Sequence, residues 1–157
     1  MMKQKPSQRL QTVLKLAQIK EQQAAGQLAD SIRNLSAQQQ QEQQFTIYKR
    51  EYSEQFKHVG SESGSERISA SQLANYQRFY GSLEAAGNTQ HEQVELASQQ
   101  QEQARTQWQQ QHSRQKNMGK LVDQKRQQEE SEIEKKLQRE QDDRVTYVWG
   151  DQLESRK

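Results

Sequence analysis

The 157-residue chain has no cysteine, one proline and seven glycines. Without cysteine there can be no disulfide and no thiolate metal site, which fits a reducing compartment. Long apolar runs are missing too. No window approaches the ~18 apolar residues of a membrane span. The stretch Met1–Lys20 gathers no apolar h-region of a signal peptide, since its apolar runs never exceed two residues. Apolar residues make up 29% of the chain, against a usual ~45–50%, and the mean hydropathy is −1.36. An ordinary globular enzyme of this size buries roughly two-thirds of its surface, and this composition cannot supply that core. Charge of one sign is scarce as well. The 23 basic and 21 acidic residues are mixed along the chain, too diluted for a nucleic-acid surface. A net charge of +2 is also far from the highly charged composition of a disordered chain. Two classes remain: a helical coiled coil, whose seam needs two apolar positions in seven, or a polar low-complexity tail.

What the chain has in abundance is glutamine, 33 residues of it. Glutamine is a good helix former that keeps a long surface soluble without charge. An aggregating tract is the competing reading, but the longest pure run is four, Gln38–Gln41. The apolar spacing then decides for helices. In the first segment one heptad position reads Leu14, Glu21, Leu28, Leu35, Glu42, Lys49, Phe56, and its partner reads Leu10, Ala17, Ala24, Ser31, Gln38, Phe45, Tyr52. In the second segment Leu73, Tyr76, Tyr80, Leu83, Gly87, Gln90, Val94, Ala97, Gln101, Ala104, Trp108, Gln111, Gln115, Met118 and Val122 follow one another at steps of three and four. The next apolar step, from Val122 to Ile133, is eleven residues and reads as a stutter.

The Gly/Ser cluster His58–Arg67 separates the two segments. The expected fold is therefore all-α, a long two-helix antiparallel coiled-coil hairpin in a single domain, 1–157. Helix one covers about 7–57, starting by Pro6 and Ser7, and the loop covers 58–68. Helix two covers about 69–148, capped by Ser69 or Ser71 and stopped by Gly150. The second arm outlasts the first, so the stretch after about Val122 is expected to overhang. Glu-to-Lys/Arg pairs at helical spacing support it. Glutamines at seam positions (Gln38, Gln90, Gln101, Gln111, Gln115) weaken the middle of the hairpin, because their amides need partners or water.

Catalytic constellations are wanting. His58, His91 and His112 have no partner at metal-ligand or triad spacing. The many carboxylates sit on exposed helix, without the burial that shifts a pKa towards acid–base work. Gly60-Ser61-Glu62-Ser63-Gly64 lacks the spacing and the lysine of a phosphate-binding loop. A chain without a catalytic site, cofactor or metal must act by contact. The contact candidates are the rings around the loop: Phe45, Tyr48, Tyr52 and Phe56 before it, Tyr76, Phe79 and Tyr80 after it. Phe45, Tyr52, Tyr76 and Tyr80 fall on the seam, whereas Tyr48 and Phe79 fall outside it. Exposed rings on a glutamine-covered surface mark a binding site. Trp108 is expected to pack near Ala17. Trp149 ends an apolar patch, Val145–Trp149, that the hairpin does not cover.

Several stretches resemble the flagellar export protein FliJ family. They are Arg9-Leu10-Gln11-Thr12-Val13-Leu14-Lys15-Leu16-Ala17 at the start, Asn75-Tyr76-Gln77-Arg78-Phe79 followed by Leu83 after the loop, Trp108, and Leu121 with Asp123-Gln124. The resemblance implies a cytoplasmic component of the flagellar type III export apparatus, at the cytoplasmic face of the inner membrane and touching the membrane only through that apparatus. It implies a hairpin similar to the central stalk of rotary ATPases, with three kinds of partner: the export ATPase FliI hexamer, the export gate protein FlhA and flagellar substrate chaperones, and no nucleic acid. It carries a gate-binding set onto Gln41, Phe45, Tyr48, Tyr52, Phe79, Leu83 and Ala86. The family's histidine falls at Gln90 rather than His91, and Phe45 replaces an aliphatic residue. The ATPase ring is expected to meet the end with both termini, through Arg9, Lys15, Arg126, Lys135, Lys136 and Arg139. Two other readings share the composition. One is the stalk of a non-flagellar type III secretion system. The other is a structural coiled coil that forms a stable oligomer through its overhang, where an escort is largely monomeric on its own. A basic amphipathic N-terminus lying on membranes (Lys3, Lys5, Arg9, Lys15 and Lys20 beside Leu10, Val13, Leu14 and Leu16) conflicts with the seam's need for the same apolar residues.

Overall fold

The computed structural model describes residues 3–62 and 69–156. Two helices account for nearly all of them: α1, Pro6–Glu62, and α2, Ala70–Glu154. They pack against each other as an all-α helical hairpin, with no strand among the described residues. The chain divides into two compact units. One joins 1–22 to 110–157, and the other comprises 23–109. Each is antiparallel. In the first, Ser7 meets Glu129 and Glu21 meets His112. In the second, Gln38 meets Gln90 and Tyr52 meets Tyr76.

Both helix starts follow capping chemistry. Pro6 occupies the first turn of α1, where its missing N–H costs nothing. The Lys5 N–H donates to Gln8 Oε1, half of a capping box, but Lys5 has no side-chain acceptor to return. Glu129 of α2 supplies that acceptor: the Ser7 N–H donates to its Oε1 at 3.0 Å and the Ser7 hydroxyl to its Oε2 at 2.7 Å. At α2 the box is complete. Ser69 Oγ accepts from the Gln72 N–H, and Gln72 Oε1 accepts from the Ser69 N–H. The cap is Ser69, not Ser71.

The helix ends differ from expectation. Helix α1 runs to Glu62 rather than stopping near residue 57, so His58–Glu62, expected as loop, are helical. A single glycine costs ~1 kcal/mol against alanine and does not break a helix that has no proline. Of the expected loop, 63–68 lie outside the described residues. Gly150 does not stop α2, which continues to Glu154. A stop of that kind needs the left-handed conformation, and no described glycine has positive φ.

The seam positions lie where the heptads put them. All fourteen expected positions of α1, from Leu10 to Phe56, are buried or half-buried. On α2 the same holds from Tyr76 to Val122, whereas Leu73, in the first turn, stays exposed. Among the described residues Ala17, Ala24, Ala97 and Val122 are the buried apolar ones, and no large side chain is fully enclosed, as befits a two-helix interface. The eleven-residue stutter is absent. From Val122 the half-buried positions continue regularly to Lys125 and Glu129, and Ile133 is exposed. Pairing therefore persists beyond Val122 as far as the Glu129 bonds to Ser7, and all described residues from 130 to 156 are exposed. Trp108 is half-buried.

Candidate functional site: an aromatic face on paired helices

The site lies in the second unit and begins with a stack of rings on the seam. Tyr76 is its hub. It stacks on Phe56 at 3.8 Å between centroids, on Tyr52 at 5.3 Å and on Tyr80 at 5.8 Å. The Lys49 ammonium sits 5.4 Å from the Tyr80 centroid, a cation–π distance. These rings fill the space between the helices, and each is half-buried. Aromatic pairs at such distances contribute ~0.5–1.5 kcal/mol beyond the area they bury.

Two more rings lie at the edge of the stack. Tyr48 is 56% exposed and Phe79 is 49% exposed. Tyr48 lies off the seam as expected. Phe79 does not lie clear of it: its ring leans on Tyr52 at 4.6 Å and 59°. The sequence missed this contact because position 79 is one residue from an ideal seam position, and a ring reaches further than an aliphatic side chain. Phe79 thus both braces the stack and presents an outer surface.

The expected gate-binding residues form two stripes. Gln41, Phe45, Tyr48 and Tyr52 follow one another on α1 at steps of four, three and four, so they share one edge of the helix. Gln41 and Tyr48 are exposed, and Phe45 and Tyr52 are half-buried. Phe79, Leu83 and Ala86 repeat the spacing on α2, with Leu83 and Ala86 half-buried. The Tyr52–Phe79 contact joins the stripes. The arrangement can bind an apolar or aromatic surface. Among the described residues no group of three or more histidine, aspartate or glutamate side chains could hold a metal ion.

Polar contacts take over from the rings further along the unit. Gln90 is buried, and its amide donates to the Gln38 carbonyl at 3.0 Å and to Gln38 Oε1 at 2.7 Å. Beside it His91 Nδ1 lies 2.6 Å from Glu42 Oε1 and Nε2 lies 3.4 Å from Glu95 Oε1. The Glu42 hydrogen bond and charge, reinforced by Glu95, hold the His91 pKa above the usual histidine value. The two carboxylates approach opposite ring nitrogens, so they fix the imidazolium rather than form a ligand set. Spacing along one chain did not reveal this pairing, because Glu42 and His91 become neighbours only through the helix register.

The six basic candidates, Arg9, Lys15, Arg126, Lys135, Lys136 and Arg139, all belong to the first unit and are all exposed. Arg126 lies beside Lys5, Ser7 and Glu129 around a shallow depression. Lys135, Lys136 and Arg139 sit on the part of α2 beyond the paired seam. No helix among the described residues is long and apolar enough to cross a membrane. Neither a curated protein nor a solved structure matches the chain. The family described as flagellar FliJ protein matches residues 6–154, both helices and the stretch between them. The chain therefore belongs to the flagellar FliJ family and is a flagellar export-associated protein.

Proposed function

We propose that this protein is the coiled-coil stalk of the flagellar export apparatus. In this reading it acts by contact rather than by catalysis, on the cytoplasmic side of the inner membrane. Its aromatic face binds the export gate protein FlhA, the basic end of its first unit meets the FliI hexamer, and it escorts substrate chaperones. One observation carries the reading: Tyr48 and Phe79 remain half-exposed beside a ring stack that already occupies the space between the helices. Large aromatics at the rim of a small interface are the side chains that anchor protein partners. Titration of the full-length protein against the cytoplasmic part of the cognate gate, and separately against the ATPase, tests it. Saturable binding to both supports the stalk. Binding to neither rejects it.

A further inference from the structure

The stretch of α2 beyond Glu129 carries an apolar stripe that the hairpin does not use. Ile133, Leu137, Tyr147 and Val148 are between about half and four-fifths exposed. At ~100° per residue, Ile133, Leu137, Glu140, Arg144 and Val148 fall within about 80° of one another, with Tyr147 at the edge. This stripe is not an extension of the seam to α1. Continued by threes and fours from Val122, Lys125 and Glu129, that seam runs onto Glu132, Lys136, Arg139 and Asp143, all charged. The apolar stripe lies out of phase with it, so α1 is not its partner.

The stripe is complementary to itself. Laid antiparallel against a second copy and centred on Asp142, it sets Glu140 opposite Arg144 of the copy and Arg144 opposite the copy's Glu140. Leu137 then faces Tyr147 and Val148 of the copy, and the same contact recurs on the other side of the dyad. A parallel pairing in register sets Glu140 against Glu140 and Arg144 against Arg144, like charges at the centre. The antiparallel arrangement is isologous, as a two-fold dimer requires. We infer that the protein self-associates through Leu137, Glu140, Arg144, Tyr147 and Val148, as an antiparallel pair of α2 C-terminal segments. The stripe is short and centred on ion pairs, so the dimer forms reversibly, unlike the stable oligomer of a structural rod. It does not depend on the aromatic face or on its gate partner.

Sedimentation velocity of the full chain, from micromolar to hundreds of micromolar, tests this. The wild type shifts from monomer towards dimer as concentration rises. Arg144→Glu weakens the dimer at least about tenfold by placing like charges at both central contacts. The exchange of Glu140→Arg with Arg144→Glu restores it. Arg144→Glu also turns the (i, i+4) pair with Glu140 inside each helix into like charges, so helicity is read beside sedimentation, and the exchange keeps opposite charges at that spacing. Orientation is read by oxidation, which is clean in a chain without cysteine. An equimolar mixture of Leu137→Cys and Val148→Cys proteins gives the mixed disulfide in preference to either homodimer. A monomer at every concentration leaves the stripe to a different partner and overturns the inference. So does a charge exchange that fails to restore association, or a dominant Leu137→Cys homodimer.

Discussion

Around Tyr76 the helices are held by rings with centroids 3.8–5.8 Å apart. Around Gln90 they are held by an amide that donates twice to Gln38, and by an imidazole set between two carboxylates. The ring region has more apolar surface than a two-helix interface can enclose, and the remainder faces outward on Tyr48 and Phe79. Within a turn of Gln38 and Gln90 no large apolar side chain is exposed. Stabilisation there depends on directional bonds that specify register. The same pair of helices thus carries exposed rings where packing exceeds its need and a polar contact where packing only just suffices.

The largest expected effect comes from removing the hub of the stack. Tyr76→Ala deletes three ring contacts, and for a half-buried ring the loss is about 2 kcal/mol. The melting temperature should then fall by about 4–8 °C, read by circular dichroism. An unchanged melting temperature would mean that the rings do not hold the helices together, and the contrast with the glutamine region would collapse. Next is the buried amide. Gln90→Ala removes both bonds to Gln38 and should cost about 1 kcal/mol. Replacing Gln38 and Gln90 together by leucine should raise the melting temperature above that of the wild type, because burial then substitutes for a polar pair. If the double leucine variant melts below the wild type, the amide pair is more than a filler.

The fold was largely legible because a heptad states which face is buried. Phe45, Tyr52 and Ala97 could be placed from spacing alone. Contacts between the helices were less legible. Glu129 was read as part of an overhang because a carboxylate carries no apolar signal, yet it caps the start of α1. Phe79 was half legible: its exposure followed from the heptad, while its contact with Tyr52 depends on the reach of a ring.

Two pH effects, the smallest expected, sharpen the polar half of the comparison. The Ser7 hydrogen bonds hold the Glu129 pKa below the usual glutamate value. Its contribution is therefore present above about pH 4.5 and is lost as the pH falls through the folded-state value. Glu129→Gln should flatten the acid limb of a melting-temperature profile, and an identical limb in the variant would show that the cap is idle. His91 has the opposite sign. Its pKa is raised, so its contribution is complete below about pH 6.5 and disappears as the pH rises through the folded-state value. The melting difference between wild type and His91→Gln should shrink between mildly acidic and mildly alkaline buffer. A difference independent of pH would show that the ring's charge plays no part.

The central claim is that the aromatic surplus serves a partner, and one titration tests it most directly. The affinity for the cytoplasmic part of the export gate is measured for the wild type, for Tyr48→Ala and for Tyr48→Ala with Phe79→Ala, beside helicity and melting of each. Tyr48→Ala should leave melting within about 0.5 kcal/mol of the wild type, as an exposed substitution does. The Phe79 change should lower it modestly, through the lost contact with Tyr52. The double variant should lose about 2 kcal/mol of binding, roughly thirtyfold in affinity. Unchanged affinity in a double variant that remains helical would contradict the account, for the exposed rings would then be packing left over rather than a surface for the gate.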